Sequence, residues 1–278
     1  MSAHHTARLG SDFGLPAARA PIADSGAFAL FGIPVRFDLS CAFATALGTW
    51  TFAGVILPAA APGRSLLAYW TGGAAAALLT MMSIVGHEVG HAIAARRAGI
   101  RVRRMALSLF GGVTELVQTP WTPGVAFRIA IAGPLASTVL AVAAAIGHVV
   151  LVEADADPLT SAILALAAVA NVAIAAINLL PGLPLDGGHV VAAALWRFTG
   201  QPADAGRSAA TLGRLLGLGM IAIALIASAS GDAGLALWLV LFGVVIWRGA
   251  EPPAYATRPV RAPGTARATA PAQPARAA

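Results

Sequence analysis

Residues 124–152, GVAFRIAIAGPLASTVLAVAAAIGHVVLV, run for 29 positions with Arg128 as the one fixed charge. About 20 apolar residues are enough for a helix to cross a bilayer core, so this stretch is long enough to span one. Five more apolar segments repeat the pattern, at about 39–58, 66–95, 159–180, 209–229 and 233–249. The last is short and carries Trp238 and Trp247, residues suited to the membrane–water interface. Composition agrees with this reading. The chain is 58% hydrophobic and 11% charged, where a soluble domain carries roughly 25% charged residues. The expected fold class is therefore an all-α polytopic membrane protein with about six transmembrane helices.

The loops set an orientation. Arg96, Arg97, Arg101, Arg103, Arg104 and Arg128 lie between the second and third segments or in the first turns of the third, with Arg197, Arg207 and Arg214 between the fourth and fifth or at the start of the fifth. The opposite loops hold Arg64, the acidic Glu153, Asp155 and Asp157, and Asp232. Arginine collects in cytoplasmic loops, so both termini are expected on the cytoplasmic side of the membrane. The 18 basic residues are all arginine, against a background rich in alanine, which points to a GC-rich bacterial genome and hence to a bacterial cytoplasmic membrane. The formal charge of +6 follows this topology; there is no soluble basic domain to bind nucleic acid. A cleavage site at the alanines 59–61 would lie too far along the chain for a signal peptide, so the first segment reads as a retained helix. One cysteine, Cys41, excludes an internal disulfide.

Three stretches interrupt the helical pattern. In GIPVRFDLS, Ile33, Val35 and Phe37 alternate with Pro34, Arg36 and Asp38, the period of a strand. Residues 101–118 are β-rich with a Gly111–Gly112 turn, a membrane-associated β-hairpin or small sheet at the cytoplasmic face. Residues 181–188, PGLPLDGG, break the fourth segment, and such backbone at membrane depth is tolerated only where it is buried in protein or lines a wet cavity. The expected organisation is a mobile arm over 1–25, which holds His4 and His5, a membrane domain over 26–250, and a disordered cytoplasmic tail over 251–278.

Within the second segment stands GHEVGH. His87 and His91 are four apart and share a helix face, so one metal ion can sit between them, and the adjacent Glu88 can act as general base toward water. The chance expectation of an HExxH pattern in this composition is about 0.002. Imidazole and carboxylate inside a bilayer are costly and mark function by default. A catalytic zinc needs a third protein ligand. The polar groups available in or beside apolar segments are Glu115, His148, Asn171, Asn178, Asp186 and His189. Asp186 stands out, because irregular backbone can bend its carboxylate inward. Asn171 and Asn178 are seven apart on one face, either lining the same cavity or bonding between helices. His148 falls at the outer end of its segment, away from the histidine pair, and His189 is as readily a supporting group as an unrelated one.

With HEVGH on a membrane helix, FGG in the following hairpin and NLLPGLPLDGG further on, the sequence resembles the site-2 protease family of intramembrane zinc metalloproteases. The resemblance implies His87, His91 and Asp186 as ligands of one Zn2+ per chain and Glu88 as general base. It also implies a substrate or oxyanion role for Asn178; Asn171, seven residues before it on the same face, is a second candidate for that role on its position alone. The implied partner is a single-span transmembrane protein cut within the lipid bilayer, such as an anti-sigma factor or signalling protein, while the oligomeric state stays open. Neither the CBS domains nor the PDZ domain carried by some relatives is expected. Two other readings compete. A divalent-cation transporter would place acidic or histidine residues on several helices at several depths, and segments one, five and six have none. An inactive scaffold would have lost the base or a ligand, and all four residues are present.

Overall fold

The computed structural model describes residues 28–108 and 111–257. The arm with its two histidines, and residues 258–278 of the tail, lie outside the described residues. Six helical stretches are long and apolar enough to cross a membrane: Leu39–Ala60, Leu66–Arg97, Pro123–Glu153, Pro158–Asn178, Pro202–Ala229 and Ala233–Thr257. They match the six expected segments within a few residues, except that the fifth begins seven residues earlier, at Pro202, and the sixth runs eight residues further, to Thr257.

The first strands, β1 (Phe28–Leu30) and β2 (Ile33–Phe37), form a hairpin whose turn places Phe31 and Gly32 at positive φ. Arg96 donates to the Phe31 carbonyl at 2.7 Å and pins this turn. Asp38 then caps the first span by accepting from the Ser40 amide. That span comprises α1 (Leu39–Thr51), a π turn (Phe52–Ile56) and α2 (Leu57–Ala60). Ser65 caps α3 (Leu66–Arg97), whose 32 residues extend about 48 Å, more than the ~30 Å apolar core, so one end projects or the helix tilts.

After α3, strands β3 (Val102–Ser108) and β4 (Gly111–Leu116) complete a four-stranded sheet in the order β1-β2-β3-β4, with β2 and β3 parallel and the other pairs antiparallel. Ile33, Val35, Met105 and Leu107 are buried against Val85 and Ala92 of α3. The strand expected from the alternation at 33–38 is β2, whose last residue, Phe37, is exposed. One expectation changes here. Ser108 pairs with Gly111, so the two glycines open β4 and do not form the turn.

The remaining helices are α4 (Pro123–Glu153), α5 (Pro158–Asn178), α6 (Asp186–Thr199), α7 (Pro202–Ala229), α8 (Ala233–Gly249) and the short α9 (Ala254–Thr257). Their contacts are made largely by alanine and glycine, such as Ala192, Ala209, Ala210 and Ala224, while Leu66, Val139, Leu225 and Leu237 are exposed. Small residues inside and large apolar ones outside is the packing expected in lipid, where close backbone approach replaces a hydrophobic driving force.

The 181–188 break is partly buried and partly borders a cavity: Leu183 is almost fully buried and its amide donates to the Ala209 carbonyl of α7, while Pro184 and Asp186 line the cavity. Helix α6, which hydropathy does not mark, starts at Asp186. The beginning of the expected tail is ordered against the body, for Tyr255 is buried and stacks on Trp196 of α6. An aromatic with a partner ring outweighs the Pro/Ala composition around it.

Candidate metal centre

Helix geometry puts Ser83, His87 and His91 in one column on the buried face of α3, and Ile129, Gly133 and Ser137 in a facing column on α4. His91 Nδ1 donates to the Ile129 carbonyl at 2.7 Å. A carbonyl can only accept, so this bond puts the proton on Nδ1 and leaves the neutral ring's lone pair on Nε2. His87 Nδ1 pairs with the buried Ser137 hydroxyl at 2.9 Å. Both Nε2 atoms then converge, 3.2 Å apart. Asp186, the first residue of α6, brings Oδ2 to 2.9 Å from His87 Nε2 and 3.2 Å from His91 Nε2.

Three electron-rich atoms thus meet in a buried triangle with edges of 2.9, 3.2 and 3.2 Å. Left alone, such an arrangement is repulsive unless a cation or extra protons occupy it. Gly133 makes room for it: a Cβ there would stand 2.2 Å from His91 Nε2 and 2.6 Å from His87 Nε2.

Beside the triangle, Glu88 is buried and its Oε2 accepts from the Thr114 hydroxyl of β4 at 2.6 Å. Gly112 of β4 lies over the same side chain, and a Cβ at that position would meet Glu88 Cγ at 2.4 Å and Oε1 at 2.6 Å. Glu88, His91, Asp186 and His189 face a cavity of about 400 Å³ whose walls come from β4, α4, Pro184 and Tyr255. β4 is one of the sheet's two edge strands.

The structure brings together His87, Glu88, His91 and Asp186, and places His189 one turn beyond Asp186 on the cavity wall. It does not bring Asn171 or Asn178 into contact with the triangle. Buried Asn171 donates to Ser83 Oγ at 2.7 Å and to its own helix at Ala167, one turn of α3 away from His87. Half-buried Asn178 donates to the Ile174 carbonyl. His148 is paired with Ser161, away from the triangle, and Glu115 is bound to Arg104 across β3 and β4. Sequence reasoning missed Thr114, Gly133, Ser137 and the Ile129 carbonyl. A serine and a Gly-Pro pair in an otherwise apolar helix were the available signals for two of them.

The family model of peptidase family M50 matches residues 75–161 and 149–222, across both halves of this constellation. The chain belongs to peptidase family M50. It is 38% identical over 205 residues to a protein of Mycobacterium tuberculosis named as a zinc metalloprotease, covering 74% of this chain and 52% of that one. It is 35% identical over 221 residues to another so named from Synechocystis, with 77% and 55% covered. The chain thus spans about half the length of these relatives. Its fold is similar to that of a site-2 protease from Methanocaldococcus jannaschii, with a TM-score of 0.54 at 24% identity over 80% of this chain and 91% of that one. The M50 membership and the six apolar helices together make this a multi-pass membrane protein with an S2P-like fold.

The donor set of this M50 chain fits zinc. With zinc–ligand bonds near 2.0–2.1 Å, adjacent ligand atoms of a tetrahedron stand about 3.3 Å apart, close to the observed edges. His87, His91 and Asp186 supply two nitrogens and one oxygen, which leaves a fourth position toward the cavity. Ser137 and the Ile129 carbonyl hold the rings from behind, as outer partners of metal-binding histidines do.

Proposed function

We propose that this chain is an intramembrane zinc metalloprotease of the site-2 type, cutting a peptide bond in or near the transmembrane segment of a single-span membrane protein. The observation that carries the reading is the His87–His91–Asp186 triangle beside Glu88 on a cavity within apolar helices. His87, His91 and Asp186 hold one zinc ion, which when bound polarises the scissile carbonyl and lowers the pKa of water toward neutrality. Glu88 takes a proton from the attacking water and passes it to the leaving amine. Thr114 fixes the carboxylate that does this, and Gly112 lets it lie beneath β4.

A transmembrane substrate must unwind before its peptide bond is exposed. The edge strand β4, whose residues line the cavity, offers such a segment a place to pair as an added strand. Proline at Val113, Leu116 or Val117 removes backbone donors from both faces of the strand in turn. At the free-edge positions cleavage should fall about tenfold, the loss of one to two hydrogen bonds, with zinc content unchanged. Cleavage unaffected at every β4 position would remove strand addition from the mechanism.

Asn178 is assigned a substrate-side role, since its oxygen is not used by the bond to Ile174, whereas Asn171 serves to clamp α5 to α3 through Ser83. The arginine distribution supports an orientation with both ends of the membrane domain in the cytoplasm of a bacterial cell and the cavity nearer that face. The substrate class includes anti-sigma factors and signalling proteins of one span.

Ser137→Ala should weaken zinc binding about 10–100-fold, the usual loss when a partner behind a ligating histidine is removed. Titration against a competing chelator reads this directly. The overall reading is tested by incubating the purified protein with a panel of single-span membrane peptides. Products that vanish with a zinc chelator and return with zinc support it; products unaffected by complete zinc removal overturn it.

A further inference from the structure

The seam between α3 and α4 has a second face, turned away from the metal triangle. A groove of about 670 Å³ runs along it, and its floor and walls include Gly90, Ile93, Leu135 and Val139. Ile93, Leu135 and Val139 are 43%, 56% and 67% exposed, so the groove opens outward on the apolar surface. The helices meet closely at its floor, because a Cβ at Gly90 would stand 2.5 Å from the Ala132 carbonyl oxygen. At one end the lining changes character. Arg97, the last residue of α3, and Arg128, in the second turn of α4, both border the groove.

Both arginines are exposed, and among the described residues neither has a carboxylate partner or a hydrogen bond. Arg96 beside them, by contrast, is committed to the Phe31 carbonyl. Two unpaired guanidinium groups at the end of an apolar channel match a molecule with an anionic head and an aliphatic tail. From Arg97 back to Gly86 the groove covers 11 residues of helix, about 16 Å, a length suited to an acyl chain lying along the bilayer normal. Another groove on the apolar surface, at the opposite end of α4, is bordered by Asp155 and His148 and by no arginine, so it lacks this complementarity.

We infer that the α3–α4 groove is a binding site for one anionic phospholipid, its phosphate held by Arg97 and Arg128 and an acyl chain laid between Ile93, Leu135 and Val139. Basic pockets between transmembrane helices bind such headgroups through the same charge pairing. The bound lipid braces the two helices whose opposite faces hold the imidazoles, since Ile129 and Ser137 of α4 anchor His91 and His87 of α3. The inference needs only a membrane-embedded chain and is independent of whether the chain is a protease.

The test is native mass spectrometry of the full chain, delipidated in detergent and titrated with dioleoyl phosphatidylglycerol or with phosphatidylcholine of the same chains. One phosphatidylglycerol should be retained per chain in preference to phosphatidylcholine. R97Q/R128Q should weaken retention roughly 30-fold, about fivefold for each arginine near the membrane surface, and R97K/R128K should keep most of it. Val139→Trp, which fills the channel without touching either arginine, should also weaken retention, and it serves if the arginine variant fails to fold. Equal retention of both lipids, or phosphatidylglycerol retention unchanged in the arginine variant or in Val139→Trp, would overturn the site. So would a dimer that forms through this face and excludes the lipid.

Discussion

Glu88→Gln should leave one zinc bound per chain and lower the rate of peptide cleavage about 10²–10⁴-fold, the range contributed by a positioned general base. The separation of the two readouts follows from geometry. Glu88 stands outside the triangle formed by His87, His91 and Asp186, and its carboxylate is turned toward Thr114 instead. Glutamine keeps the size of the side chain and an oxygen for the Thr114 hydroxyl, so the packing under Gly112 survives. What it loses is the capacity to take a proton. Elemental analysis and single-turnover cleavage on the same preparation read both quantities. Loss of zinc together with activity would instead make Glu88 a structural support for the site.

Gly133→Ala should have the opposite signature, with both zinc and activity lost from a chain that still inserts and folds. A methyl group at this position would have to occupy space 2.2 Å from His91 Nε2 and 2.6 Å from His87 Nε2. Neither ring can retreat without breaking its bond to the Ile129 carbonyl or to Ser137, so at least one imidazole leaves the triangle. Losing a single outer partner costs about 10–100-fold in metal affinity, and displacement of the ring itself should cost at least 100-fold by the same measure. Gly124→Ala is the matched control. It lies on the same helix, and a Cβ there meets nothing within 4 Å. Zinc binding that persists at full affinity in Gly133→Ala would mean that the two histidine rings do not converge as described.

What could be read from the sequence, and what could not, divides along physical lines. Spans could be read because crossing a bilayer demands a long apolar run, and few other pressures produce six of them. The histidine pair was legible because a four-residue spacing on a helix is a local relation. Asp186 lies 99 positions beyond His87, and only the Pro/Gly break before it signalled that the backbone could bring it inward.

The groups that hold the rings were not legible. Ser137 and Ile129 act through a facing helix, and one of them contributes a backbone carbonyl, which has no residue signature at all. Gly133 is defined by what it lacks, and its meaning appears only when two imidazoles are found in the space. Helix α6 escaped notice because it is neither long nor apolar enough to stand out from a loop by hydropathy. Tyr255 was hidden by its composition, since a Pro/Ala-rich stretch says nothing of a tryptophan waiting on another helix.

The most direct test of the central claim is to reconstitute the chain in liposomes with a single-span substrate and to map the products by mass spectrometry. The account predicts a cut within or at the edge of the substrate's apolar segment, abolished by chelation, restored by zinc and absent from Glu88→Gln. A cut confined to the soluble part of the substrate, or one that Glu88→Gln still makes at the original rate, would contradict it.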